Sequence, residues 1–94
     1  MASRELERIR NAILEHRYTL TEHAYEEMDD DDLDVLDVEA AILTGEIDQV
    51  LTADPRGTRY VVIGNGTDQQ TAIGVVGRFV EHGQLLIVTV YEVK

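Results

Sequence analysis

Apolar positions in the first half of the chain recur at helical spacing, whereas in the second half they alternate or run together. Leu6, Ile9 and Ile13 fall three and four apart behind Ser3, a residue suited to an N-cap. Glu5 and Glu7 place negative charge in the first turn, and Glu5/Arg8 and Glu7/Arg10 form i,i+3 pairs. These features predict a first helix over residues 4–17. Tyr18-Thr19-Leu20 reads as a short extended link. Thr21 caps a second helix over residues 22–29, with Ala24 and Met28 facing inward. The run Asp29 to Asp32 ends it, because four consecutive like charges repel one another and are best solvated at the surface. Asp34 caps a third helix over residues 35–44, Leu33 can staple onto Val38, and Val38, Ala41 and Ile42 form its apolar stripe. Gly45 is the expected stop.

Beyond Gly45 the pattern predicts strands over residues 47–53, 58–64, 71–80 and 85–93. Asp54-Pro55-Arg56-Gly57, Asn65-Gly66 and His82-Gly83 are the turns between them. Connections this short force antiparallel neighbours. The expected architecture is α+β, one domain over residues 1–94, with the N-terminal helices packed on one face of a four-stranded, mainly antiparallel sheet.

Alternation along the strands then says which side chains the helices leave uncovered. In the third strand Ile73, Val75 and Phe79 form the more apolar set, and Gly74, Val76 and Arg78 share the other face. In the fourth, Leu86, Val88 and Val90 are apolar, which leaves Thr89 and Tyr91 opposite them. In the second, Arg59 faces away from Tyr60 and Val62. The open face is therefore expected to gather Arg59, Arg78, Thr89 and Tyr91. Two guanidiniums and a phenol together suit a phosphodiester and the extra negative charge of its transition state. The same residues at open strand positions also serve simply as solvated surface.

Charge sharpens this picture. The 94 residues carry a net charge of −11, and its distribution is uneven. Residues 18–54 hold thirteen Asp and Glu and no Lys or Arg, while each flanking segment is close to neutral. An anionic ligand should meet the second half of the chain, and the acidic middle repels a polyanion. No apolar run approaches the ~20 residues of a membrane span. The amino terminus is charged where a signal peptide would be apolar, so a cytoplasmic protein without membrane attachment is expected. The chain has no Cys, which excludes disulfides, zinc ribbons, iron–sulfur clusters and thiol catalysis.

Asp30, Asp32 and Asp34 imitate the start of a calcium loop, but Val35 stands where that loop needs Gly and Ala41 where it needs Glu. Gly64-Asn65-Gly66 lacks the third Gly and the following helix of a dinucleotide cradle. His16, His23 and His82 fall in separate elements. Neither a metal nor a cofactor is expected. His23 stands apart from the other two, because it lies in the first turn of the second helix, where the dipole favours a neutral imidazole. Such a residue serves as a general base or as a tie between helix and sheet.

His23-Ala24-x-x-x-Met28, Leu33, Asp37-Val38 and Ala41-Ile42-x-x-Gly45-Glu46 are followed by Asp54-Pro55-Arg56-Gly57-x-Arg59-Tyr60-x-x-x-Gly64 and by Ile87-Val88-Thr89-Val90-Tyr91-Glu92. In this order they resemble the bacterial domain of unknown function 4258 family, over about Tyr18 to Glu92. The resemblance implies a fold like the MqsR, BrnT and RelE toxins, small α+β ribonucleases of type II toxin–antitoxin systems. It matches His23 to the signature histidine, Arg59-Tyr60 to a strand pair and Tyr91 to a near-terminal tyrosine. The chain departs from the pattern H-A-x-x-R-M-x-x-R-G at Glu27, Asp31 and Asp32. The functional expectation is toxin-like RNA cleavage without a metal. His23 or Tyr91 exchanges protons, and Arg59 and Arg78 are the cations. The rival is a non-catalytic acidic module that binds a basic protein partner. RNA, an antitoxin or other protein, and a second copy joined through the Leu85 to Val90 sheet edge are the expected partners.

Overall fold

Ser3, Thr21 and Asp34 each cap a helix where the sequence places one, their side chains accepting from Leu6, Ala24 and Asp37 N–H respectively. The computed structural model describes residues 3–94. Its elements are α1 (Arg4–Leu14), β1 (Tyr18–Leu20), α2 (Glu22–Asp30), α3 (Val35–Thr44), β2 (Glu46–Leu51), β3 (Arg59–Asn65), β4 (Ala72–Phe79) and β5 (Leu85–Glu92). Asp34 and Asp37 complete a reciprocal capping box at the start of α3. Leu6, Ile9, Ala12 and Ile13 of α1, Ala24 and Met28 of α2, and Val38, Ala41 and Ile42 of α3 share one buried cluster with Val62, Ile73, Val75, Leu85, Ile87 and Val90 of the sheet. The α+β architecture holds.

The sheet has five strands, not four, in the order β1-β5-β4-β3-β2. β2 to β5 form the expected antiparallel meander, and β1 adds a parallel strand beside β5. The supposed link at Tyr18-Thr19-Leu20 is thus a strand, paired with Leu85, Leu86 and Ile87. Three residues are too few to show a period. β5, expected at the sheet's edge, is covered by β1 over Leu85 to Ile87, and farther along a helix carboxylate takes the Val90 N–H, so the first half of the Leu85 to Val90 run is not a free edge.

Two helices end sooner or differently than charge and period suggest. α1 stops at Leu14 because His16 takes φ 57°, and Arg17 N–H reaches back to the Ala12 carbonyl. α2 closes in the same way, with Asp32 at φ 57° and Leu33 N–H donating to the Met28 carbonyl. Gly45 ends α3 in an extended rather than a left-handed conformation. Its role is contact, since a Cβ there would stand 2.5 Å from the Ala41 carbonyl oxygen. Asn65-Gly66 is not the hairpin turn. Gly66 N–H still donates to the Thr71 carbonyl, and the chain reverses beyond it, where Asp68 accepts from Gln70 and Thr71 N–H.

A register shift in β5 changes which side chains face the helices. Val76 pairs with Thr89 but Gly77 with Ile87, so Val88 is an extra residue. The strand buries Leu85 and Ile87 before the shift and Val90 after it. Leu86 and Val88, expected with Val90, are only half-buried.

Candidate functional site

β3 and β4 bring Arg59 and Arg78 into direct register on the face without helices. Directly opposed side chains have Cβ atoms about 4.5–5.5 Å apart, so two like charges here repel unless something lies between or beside them. The turn before β3 supplies part of the answer. Asp54 Oδ1 accepts from Arg56 N–H at 2.9 Å and lies 3.3 Å from Arg56 Nε, and Asp54 Oδ2 lies 3.3 Å from Arg59 Nε. The Asp54 side chain is only 7% exposed. The Arg56 amide, more than any other group, holds its carboxyl below the ordinary value of 3.8, and the Arg56 and Arg59 guanidiniums add to the effect. The approach to Arg59 gives charge attraction but is out of line for a hydrogen bond, so Arg59 Nε is buried with no acceptor among the described residues. Arg78 Nη1 donates to the Arg56 carbonyl at 3.3 Å, and Arg78 has no ion pair among the described residues.

A cleft of about 290 Å³ opens here, lined by His23, Arg56, Arg59 and Arg78 with Asp54 and Thr89. Leu86, Val88 and Thr21 complete the wall. His23 reaches it from the first turn of α2, with its side chain 67% exposed and Nε2 3.4 Å from Glu27 Oε1. The group its Nε2 meets is therefore a carboxylate on the next turn.

Three of the four residues singled out in the sequence, His23, Arg59 and Arg78, share this cleft. Tyr91 does not. It pairs with Gly74, and a Cβ on Gly74 would clash with the Cζ end of its ring. Gly74 lies four residues from Arg78 along β4, about 13 Å at ~3.3 Å per residue. Tyr91 fills the space that Gly74 leaves and sits away from the cations. Sequence reasoning missed the part played by Asp54 and Arg56. The turn was legible as a turn, but nothing periodic says that it folds back over the open face.

Glu27 and Asp31 resolve a second question raised by the sequence. Glu27 Oε1 accepts from Val90 N–H and Asp31 Oδ2 from Glu92 N–H, each at 3.1 Å. β1 covers only the first half of the outer edge of β5, and these two carboxylates occupy the backbone donors beyond it. Asp31 is accordingly half-buried rather than solvated with its acidic neighbours.

Among the described residues no group of three or more His, Asp or Glu side chains is placed to hold a metal ion. No helix among them is long and apolar enough to cross a membrane. The fold and cleft define a small α+β domain with an arginine-lined pocket on the open face of its sheet. The model for the domain of unknown function DUF4258 matches residues 20–92, and the chain belongs to that family. No curated protein and no solved structure matches the chain.

Proposed function

We propose that the chain is a toxin-type endoribonuclease of the RelE, MqsR and BrnT kind, and that its arginine cleft receives the scissile phosphodiester. The supporting observation is the pairing of Arg59 with Arg78 beside His23, with the Arg59 Nε donor buried and unmatched. A phosphate between the two guanidiniums relieves their repulsion and gives that donor an acceptor. His23 takes the proton of the 2′-hydroxyl, and the 2′-oxygen attacks phosphorus. The bond from phosphorus to the 5′-oxygen then breaks, and water protonates the departing oxygen. The products are a 2′,3′-cyclic phosphate and a 5′-hydroxyl end. Arg59 and Arg78 stabilise the added charge of the pentacovalent phosphorus. Tyr91 takes no part in this scheme.

The test is cleavage of single-stranded RNA by the purified protein in chelator, with Arg78→Ala, His23→Ala and Tyr91→Phe alongside. Arg78→Ala is expected to lose about 10²-fold or more in rate, as is usual when a charge-stabilising donor is removed. His23→Ala should lose a comparable factor as the missing base. Tyr91→Phe should cleave like the parent. No cleavage by the parent, or equal cleavage by Arg78→Ala, sinks the proposal.

A second reading, the non-catalytic acidic interaction module, draws on Asp54. Its carboxylate lies against both Arg56 and Arg59 and already offsets one of the cleft's three positive charges. Failure of the cleavage test makes this the leading account.

A further inference from the structure

The sheet ends on one side at β1, and among the described residues the outward backbone groups of that strand have no neighbouring strand. Leu85 N–H donates to the Arg17 carbonyl, and Thr21 N–H donates to the Ile87 carbonyl. Arg17, Thr19 and Thr21 therefore turn toward β5, and alternation turns the amides and carbonyls of Tyr18 and Leu20 outward. The opposite edge of the sheet is protected differently. β2 carries Glu46 and Asp48, and its register shifts between Ile47 and Gln49, which breaks the ladder a new strand would need. β1 has no such interruption.

An open groove of about 380 Å³ adjoins this edge, lined by His16, Tyr18, Thr19, Leu20, Tyr25 and Val35. Its wall is largely aromatic and aliphatic. Tyr25, which lines the groove, is 48% exposed. The charge beside the groove is mainly negative, and the one adjoining cation, Arg17, is paired with Glu15. Five of its six lining residues come from the segment 18–54, which has thirteen acids and no Lys or Arg. Glu22 lies one turn before Tyr25 on α2, and Glu39 on α3 accepts from the Tyr18 hydroxyl.

We infer that the β1 edge binds a short, extended, basic segment of a partner protein as a sixth strand. One apolar side chain of the segment lodges between Tyr25 and Val35, and its Lys or Arg residues face the carboxylates of α2 and α3. Main-chain hydrogen bonds to Tyr18 and Leu20 supply affinity, and the groove and its charge supply selectivity. An RNA strand is repelled from this surface by the same carboxylates. The groove shares no lining residue with the arginine cleft, and binding there does not depend on catalysis.

The experiment titrates the protein with a fluorescein-labelled peptide of alternating lysine and valine and reads anisotropy, with amide hydrogen exchange followed residue by residue. A glutamate–valine peptide and an all-lysine peptide of equal length are the comparisons. The lysine–valine peptide is expected to bind and to slow exchange at Tyr18 and Leu20, and the glutamate–valine peptide should not bind. Tyr25→Ser removes an exposed anchor and should weaken binding about tenfold. Glu22→Lys, also on the exposed side of α2, should weaken it by electrostatic repulsion if Tyr25→Ser fails to fold. Equal binding of the all-lysine peptide would reduce the effect to bare charge attraction and overturn the inference. So would absence of protection at Tyr18 and Leu20. Protection that rises with protein concentration alone would assign the edge to a second copy instead.

Discussion

Glu27 Oε1 accepts the backbone N–H of Val90 at 3.1 Å, across 63 positions of sequence. A helix side chain thereby continues the edge of a sheet where the neighbouring strand has run out. Asp31 repeats the contact one turn later with Glu92 N–H. At both positions the resemblance led us to expect arginine, and the carboxylates found there accept backbone donors of β5.

Glu27→Leu leaves the Val90 N–H, on a residue with no exposed surface, without its acceptor. The loss should destabilise the fold by about 1–3 kcal/mol, as for other buried groups left unpaired. Glu27→Gln keeps an acceptor oxygen and should cost about half as much or less. Urea unfolding of both variants, with the exchange rate of the Val90 amide, checks the assignment. Equal stability of Glu27→Leu and the parent would show that this bond contributes nothing.

Asp32 occupies the left-handed position that closes α2, at φ 57°, where glycine carries no steric penalty. Asp32→Gly should stabilise by about 0.5–1 kcal/mol, after allowing for the greater freedom of glycine in the unfolded chain. It also removes one charge from a run of four. Thermal unfolding of Asp32→Gly and Asp32→Asn separates the two contributions, because Asn removes the charge and keeps a side chain.

Gly74 and Tyr91 are coupled by contact across β4 and β5. Gly74→Ala drives a methyl group into the ring and should cost about 1–3 kcal/mol. In a Tyr91→Ala background the same substitution should be nearly neutral. The coupling energy from this double-mutant cycle measures the contact. Additive effects would mean that the ring yields freely and that Tyr91 is available for other work.

Tyr18 is pushed from its ordinary value of 10.0 to about 12, chiefly by burial and then by its hydrogen bond to Glu39 and that carboxylate's charge. The folded state holds this proton more tightly than the unfolded state does. Its contribution to stability is fully present below pH 10 and is lost as the pH rises through about 12. A phenolate absorbance step near pH 12, missing in Tyr18→Phe, is the expected observation. A Tyr18→Phe profile identical to that of the parent would refute the assignment.

Local chemistry made much of this molecule legible in the sequence. Ser3, Thr21 and Asp34 announce three helices because a cap needs only a side-chain oxygen and an amide two or three residues on. The faces of β3 and β4 followed from alternation, so Arg59 and Arg78 were placed correctly on the side away from the helices. The family was also readable, since its motifs lie in order along the chain. Other features depended on contacts between distant segments. β1 is a strand only because β5 pairs with it, and three residues carry no period. The extra residue at Val88 reversed the expected inward set in the first half of β5, because a bulge shifts every later side chain to the other face. Asp54 meets Arg59 through the fold of a turn, and Glu27 meets Val90 across the end of a sheet. Periodicity and capping report what each residue does among its neighbours in sequence. Tertiary structure alone decided which carboxylates answer arginines, which complete a sheet edge, and which remain in water.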